Sequence, residues 1–253
     1  MMMKSRTLVM GDIHGGFKAL LQVLERCEFN PKEDTLIQLG DIADGWSETW
    51  EIVDYFIKLK EKHPHHIFIR GNHDNWLHDY LLYGMQPLIW TQQGGKATID
   101  SYLKDDRIAN VEKHREFMRN QIDYHIDDEN RLFIHGGWYY PSGFPEGATS
   151  KVNAGTIAKE CHWDRSLFET AKSAHLMRKN SPLAYKKFTA LDQFNEVYIG
   201  HTARDKGPEN YLNLWNIDTG AGWNGVLTIM DIDTKENWQS DKLSELYFGE
   251  NGR

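Results

Sequence analysis

The fold this sequence predicts is α/β, turning α+β in its second half, with a central two-sheet β-sandwich flanked by α-helices. Three observations carry the prediction. Over residues 6–70, short apolar runs alternate with helical patterns, which favours parallel strands joined by right-handed crossovers. From Tyr124 onward short strands dominate instead. Five of the apolar runs also stop at a glycine turn carrying Asp, Asn or His, and ligands of open α/β sheets gather at such strand ends.

Strand Arg6–Met10 comes first, followed by a helix whose Phe17, Leu20, Leu21 and Leu24 are spaced to form one apolar face. Pro31 and the charged Lys32-Glu33-Asp34 turn the chain into strand Thr35–Leu39. A second helix starts after Ser47, an N-cap residue type, with Trp50, Val53 and Ile57 on one side. It ends near His63-Pro64, and strand His66–Arg70 follows. Trp76–Tyr83, Thr98–Leu103 and Val111–Asn120 read as helices around the Gly94-Gly95 turn, forming a helical cap at about 76–122 beside the strand ends. Later strands are expected at Tyr124–Ile126, Arg131–Ile134, Val197–Ile199, Tyr211–Ile217, Val226–Asp231 and Ser244–Phe248, with helix and loop over 151–194. No repeat or linker divides the sequence, so residues 1–253 are read as a single domain.

Composition narrows the function classes. Hydrophobic residues at 40% and charged residues at 26% are ordinary for a soluble globular chain. A formal charge of −8 argues against nucleic acid or an anionic membrane as partner. No apolar run approaches the roughly 18 residues that span a bilayer. Cys27 and Cys161 are too few for a disulfide framework and are read as free thiols in a reducing compartment. Met1–Lys4 lead straight into the first strand without room for a signal peptide, so a cytoplasmic protein is expected.

The five strand endings carry the chemistry. They are Gly11-Asp12-Ile13-His14-Gly15, Gly40-Asp41-Ile42-Ala43-Asp44-Gly45, Gly71-Asn72-His73-Asp74, His135-Gly136-Gly137 and Gly200-His201-Thr202. Asp12 and His14, at i and i+2 on an extended turn, point to one side and suit a borderline divalent ion. Asp41 offers a carboxylate able to bridge two ions, and Asn72, His135 and His201 supply an amide oxygen and two imidazoles to the second. The expected cofactor is thus a pair of divalent ions, Mn first, with Fe and Zn also compatible. Such a pair attracts phosphate and acidifies a bridging water into a hydroxide nucleophile near neutral pH. Taken singly, each Asp reads as a turn residue and each His as a surface residue; jointly they fit one coordination scheme.

His73 follows a ligand directly and is placed to protonate a leaving alkoxide as general acid. Asp44, three residues past Asp41, is placed to hold the other ring nitrogen. Arg165 and Arg70 are the candidates for gripping phosphate, with Asn72 as a further contact. Arg70 ends a buried strand, so bonding to carbonyls or carboxylates is its alternative use. His63, His65 and His66 read as a solvated turn around Pro64, and His78, His114, His125, His162 and His175 as exposed residues.

These motifs resemble the phosphoprotein phosphatase branch of the calcineurin-like metallophosphoesterases, whose pattern runs GDxHG, GDxxDRG, GNHE or GNHD, an HxG turn and a late histidine. Trp90 with Gly94-Gly95, His162-Trp163-Asp164-Arg165, Gly200-His201-Thr202 and Asn216–Ala221 with Gly225–Thr228 are similar to the small phosphatases of phage lambda and bacteria. The resemblance implies a central β-sandwich with one metal on Asp12, His14 and Asp41 and the other on Asp41, Asn72, His135 and His201. It implies that His73 with Asp44 protonates the leaving group and that Arg165 grips phosphate. The single histidine of Gly200-His201-Thr202-Ala203, in place of GHxH, fits the same branch.

One departure stands out. The family's GDxxDRG holds a phosphate-binding arginine where this chain has Gly45, followed by Trp46. The expectation is a looser site in which Trp46 flanks a bulkier substituent, with Arg70 or Arg204 as possible replacements for the missing group. Three readings follow. The leading one is a phosphatase of phosphomonoesters, including phospho-Ser/Thr or phospho-Tyr protein. The second is a phosphodiesterase or dinucleoside polyphosphate hydrolase on the same site, which would make a nucleotide the substrate. The third is a catalytically weak metal-binding module, against which Asp44 and His73 argue.

Overall fold

The computed structural model describes residues 5–139, 144, 157–182 and 192–253. The opening unit is β1 (Thr7–Met10), α1 (Phe17–Arg26), β2 (Thr35–Gln38), α2 (Thr49–Lys62) and β3 (Ile67–Phe68), with its three strands parallel. Next come α3 (Asn72–Tyr83), α4 (Leu88–Trp90), α5 (Lys96–Leu103) and α6 (Glu112–Asn120). Strands β4 (Tyr124–Ile126) and β5 (Arg131–Ile134) precede α7 (Ile157–Trp163) and α8 (Ser166–Asn180). The remainder is β6 (Glu196–Ile199), β7 (Glu209–Tyr211), β8 (Leu214–Asn216), β9 (Thr228–Asp231), β10 (Asn237–Gln239) and α9 (Leu243–Leu246).

Among the described residues these strands form two five-stranded mixed sheets, ordered β10-β9-β1-β2-β3 and β4-β5-β6-β8-β7. The expected sandwich is present, and strand periodicity explains why it forms. Val9, Ile37, Phe133, Tyr198 and Met230 meet between the sheets. Their neighbours Leu8, Met10, Leu36 and Ile229 face the helices packed on the first sheet. Leu132, Ile134, Val197 and Ile199 face the helices on the second. Both faces of each sheet are therefore covered, so the strands read as unbroken apolar runs rather than as alternating ones.

Several elements differ from expectation. The buried face of α1 is Ala19, Leu20, Val23 and Leu24, while Leu21 is 44% exposed. Ser47 does not cap α2; its hydroxyl and amide both bond the Glu250 carboxylate. Helix α3 begins at Asn72, inside the ligand motif itself. The single strand expected over Tyr211–Ile217 is a hairpin, β7 and β8, reversing through Leu212 at φ +60°. Ser244–Phe248 is not a strand: α9 occupies most of it. Strand β10, with Trp238 as its one large apolar residue, carried no readable signal. Parts of the 151–194 segment, 151–156 and 183–191, lie outside the described residues.

Three histidines set aside as solvated are interior. His66 is fully buried and its Nδ1 accepts the Leu36 amide at 3.1 Å. His114 stacks on Trp50 at 4.0 Å and bonds the Tyr102 hydroxyl. His162 is buried, 3.1 Å from the Asp123 carboxylate.

Candidate active site

The turns after β1, β2 and β3 present Asp12 with His14, Asp41 with Asp44, and Asn72 with His73, while His135 and His201 follow β5 and β6 of the other sheet. All six residues expected to hold metal converge there, none more than 4% exposed. The turns are knitted to one another. The amides of Ile13 and His14 donate to the Asp41 carbonyl at 3.0 and 2.9 Å. The Asp74 carboxylate accepts the amides of Asp41, Ile42 and Gly71 at 2.9–3.0 Å. The His201 amide donates to the Asp12 carboxylate at 3.1 Å. A Cβ on Gly71 would stand 2.1 Å from Asp41 Oδ1, and one on Gly200 2.2 Å from Asp12 Oδ1, so only glycine permits these approaches.

Four site residues, His14, Asp41, Asp44 and His201, have left-handed backbone with φ between 51° and 74°. Each costs on the order of 1 kcal/mol, offset by the cross-turn bonds, and such strain clusters where geometry is functional.

The hydrogen bonds decide which imidazole nitrogens are free. Nδ1 of His14 donates to the Ala43 carbonyl at 3.0 Å, and Nδ1 of His135 to the Leu39 carbonyl at 2.8 Å. Nε2 of His201 donates to the Trp163 carbonyl at 3.2 Å. A carbonyl can only accept, so the second nitrogens of His14 and His201 present lone pairs, as metal ligands must. Nε2 of His135 instead faces the Asp41 and Asn72 oxygens at 3.3 and 3.2 Å and sheds its proton on binding an ion. Asp41 lies at the centre. Its Oδ1 accepts the His73 amide, while Oδ2 is buried with no hydrogen-bond partner, 3.3 Å from His135 Nε2 and 3.6 Å from His14 Nε2. An orphaned carboxylate oxygen is rare in a protein interior. Here it fits a bridging ligand.

Among the described residues, donor atoms within 4.8 Å of one another form two groups, His14 with Asp41 and His73, and Asp41 with His135 and His201. Asp41 belongs to both. Asn72 Oδ1 is 3.2 Å from His135 Nε2, and Asp12 Oδ2 is 3.8 Å from His14 Nε2, just outside the tight group. Carboxylate, imidazole and amide oxygen together fit borderline divalent ions. Burial holds His14 well below the usual imidazole range and His201 down at about 2, favouring the neutral form a metal requires. Burial works against charge on His135 too, but the Asp41 and Asp12 carboxylates lift it to about 9. Burial also works to raise Asp41, yet His135 and His73 pull it well below the usual range. Asp12 is pushed up by burial and by Asp218.

His73 Nδ1 donates to Asp44 Oδ2 at 2.5 Å, with both side chains fully buried. Asp44 also accepts the Trp90 indole N–H at 2.7 Å and the Thr98 hydroxyl at 2.8 Å, so α4 and α5 fix its orientation. Trp90 stood out in the sequence only through resemblance, and Thr98 had no signal.

The arginines divide. Arg165 Nη2 donates to the His201 carbonyl at 3.2 Å, at the edge of the second donor group. Arg70 donates instead to the carbonyls of Met118 and Arg119 at the end of α6, the alternative use foreseen for it. Arg204 pairs with Glu169 and Glu209. Trp46 does not flank the site: it is buried, its indole donates to the Ala221 carbonyl, and it stacks on Tyr247 at 5.3 Å. The exposed rings around the donors are Trp163, 6.4 Å from His201, and Trp223, 6.5 Å from His14. Sequence reasoning missed Arg253, whose Nη1 lies 2.6 Å from His73 Nε2. Nothing local to that residue marks it.

Residues 5–202 match the family described as calcineurin-like phosphoesterase. A serine/threonine-protein phosphatase 1 of Salmonella typhimurium is 32% identical over 227 residues, covering 88% of this chain and 90% of that one. A symmetrical bis(5'-nucleosyl)-tetraphosphatase of Haemophilus ducreyi is 22% identical, covering 94% and 99%. Among solved structures, a protein serine/threonine phosphatase from Saccharomyces cerevisiae aligns with a TM-score of 0.62 at 16% identity, covering 94% of this chain and 80% of that one. At that identity the likeness concerns the fold.

Proposed function

The chain belongs to the calcineurin-like phosphoesterase family, and from that premise we propose that it hydrolyses phosphomonoesters, phosphorylated small molecules or phosphoprotein, at a two-metal centre. The observation that carries this reading is Asp41, shared by two donor groups, whose buried Oδ2 has no hydrogen-bond partner and faces two imidazole nitrogens at 3.3 and 3.6 Å. Asp12, His14 and Asp41 would hold one ion, and Asp41, Asn72, His135 and His201 the other. When bound, such a pair supplies Lewis acidity toward phosphoryl oxygen and an activated water. The rest is the work of side chains. Asp44 holds the His73 ring by Nδ1, so Nε2 faces the donors and, with both ring nitrogens protonated, can give its proton to the leaving oxygen. Arg165, anchored on the His201 carbonyl, can turn its free N–H groups to phosphate.

Manganese as the native ion, a cytoplasmic address and a helical cap over about 76–122 within one domain complete the reading. Two buried thiols support the address. Among the described residues no helix is long and apolar enough to cross a membrane. Trp90 and Thr98 on Asp44 support a working role for the helical region.

The second reading, hydrolysis of a dinucleoside polyphosphate, draws on the tetraphosphatase relatives and on the exposed rings of Trp163 and Trp223. One panel separates the two: nitrophenyl phosphate, a phosphoserine peptide, bis-nitrophenyl phosphate and diadenosine tetraphosphate, each with Mn and with chelator. Chelator-sensitive preference for the monoesters supports the first reading. Preference for the tetraphosphate replaces it with the second.

A further inference from the structure

The segment from Tyr247 to Arg253 runs back to the metal donors and is fastened on the way. The Tyr247 ring stacks on Trp46, and its hydroxyl donates to the Glu48 carboxylate. Glu250 accepts both the amide and the hydroxyl of Ser47, at 3.0 and 2.8 Å. The Arg253 amide donates to the Gly222 carbonyl at 2.9 Å. From there the side chain, 12% exposed, reaches His73 Nε2 at 2.6 Å and His14 Nε2 at 3.3 Å, with its guanidinium 4.3 Å from the Trp223 ring centre.

Three glycines shape the path. A Cβ on Gly94 would come within 2.8 Å of Arg253 Cβ, and one on Gly222 within 3.1 Å of Arg253 Cδ and 2.7 Å of His14. A Cβ on Gly252, at φ +68°, would strike the Gly222 carbonyl at 2.6 Å. Residues distant in sequence thus share one vacated groove, and one side chain lies in it.

The electrostatic partnering is incomplete. Among the described residues the nearest carboxylate oxygen to Nη1 is Asp41 Oδ2, at 4.0 Å, too far for a hydrogen bond. A mostly buried guanidinium whose hydrogen-bond partners among the described residues are imidazole nitrogens is poised for a stronger, anionic acceptor. We propose that Arg253 is a phosphate-binding guanidinium of this centre: with His14 Nε2 given to a metal ion, its N–H groups turn from His14 and His73 to the phosphoryl oxygens of the substrate. The proposal rests on the phosphoesterase reading of the donors. The exchange also frees the Nε2 lone pair of His73, which then takes up a proton from solvent and can pass it to the leaving oxygen, with Nδ1 still bonded to Asp44. Trp223, beneath the guanidinium plane, keeps it in place by cation–π contact.

The test compares wild type, Arg253→Ala and Arg253→Lys, each loaded with Mn and assayed for metal content by atomic emission. Orthophosphate affinity is read by calorimetry and by competitive inhibition of nitrophenyl phosphate turnover. Arg253→Ala should retain its metal and bind orthophosphate about 10–100-fold more weakly, the loss expected for charge-assisted bonds. Lysine should restore only part of that, since it lacks the planar fork. Millimolar methylguanidinium should restore orthophosphate affinity to the alanine variant, a rescue no purely structural residue would show. Unchanged phosphate affinity in Arg253→Ala overturns the proposal. So does higher turnover or higher metal affinity in that variant, which would make the side chain an obstruction. A wild type with no chelator-sensitive turnover on any ester would sink the phosphoesterase reading instead, while the calorimetric comparison would still judge Arg253.

Discussion

Nδ1 of His73 and Oδ2 of Asp44 meet at 2.5 Å, and neither side chain has any solvent-exposed surface. Burial raises the Asp44 carboxyl, while the His73 ring, the Thr98 hydroxyl and the Trp90 indole draw it back toward the charged form. The pair sets the ring's orientation and tautomer, leaving Nε2 directed at the donors.

If His73 is the general acid, its value depends on the leaving group. His73→Asn should cost about 10²–10⁴ in kcat on a phosphoserine peptide and under about tenfold on nitrophenyl phosphate, whose phenolate leaves without protonation. Metal content should stay at the wild-type value. Because His73 falls in one of the two donor groups, metal content is the decisive control. Equal losses on both substrates, or loss of an ion, would make His73 a ligand.

Asp41 should be indispensable, since among the described residues no other carboxylate belongs to both donor groups. Asp41→Asn should lower hydrolysis of nitrophenyl phosphate at least about 10³-fold, and chelator should do the same to wild type, reversibly with Mn. Turnover by a demetallated sample, measured alongside emission spectrometry, would contradict the two-metal assignment.

His114 predicts a pH effect away from the site. Burial holds this imidazole at about 4, below its ordinary 6.5. The unfolded chain therefore takes up the proton first. Stability should be fully present above about pH 6.5 and should fall between pH 6.5 and 4, by up to about 3 kcal/mol from this group. In urea titrations across that window, His114→Gln should start less stable but show a flatter pH dependence. An unchanged slope would mean that other groups govern acid unfolding.

Gly45 cannot simply be converted to the arginine that the family resemblance expects. At φ +95° any side chain there is strained, and its Cβ would also press on the His14 carbonyl at 3.2 Å. Gly45→Ala should cost about 1–3 kcal/mol in urea denaturation, and Gly45→Arg at least as much, without a fall in KM for a monoester. A lower KM at undiminished stability would show that the turn tolerates the side chain.

Much of this was legible in the residues. The strand-ending turns from Asp12 to His201 are local signals, because Gly beside a ligand is needed both for the turn and for the close approach of the next one. The sandwich was legible because both sheet faces are buried, making Leu8–Met10 or Leu132–Ile134 conspicuous. What stayed hidden depends on distance in sequence. Thr98 matters only because it meets Asp44, and Arg253 only because it meets His73. Leu21 and Leu24 have equal hydrophobicity, and only packing exposes the first and buries the second. Asp74 read only as the end of the Gly71-Asn72-His73-Asp74 motif, whereas its carboxylate gathers the amides of Asp41, Ile42 and Gly71.

The donors are drawn from both sheets, Asp12, Asp41 and Asn72 from one and His135 and His201 from the other. An ion bound among them is therefore a rivet through the sandwich as well as a reagent. Ligands that bind only the folded state stabilise it by mass action, about 2.7 kcal/mol at a hundredfold excess over Kd. Mn should accordingly slow amide exchange in β1 and β2 and, in step, in β5 and β6, although no hydrogen-bonded ladder joins those pairs of strands. The centre that would cleave the substrate would then also keep the two halves of the molecule from parting.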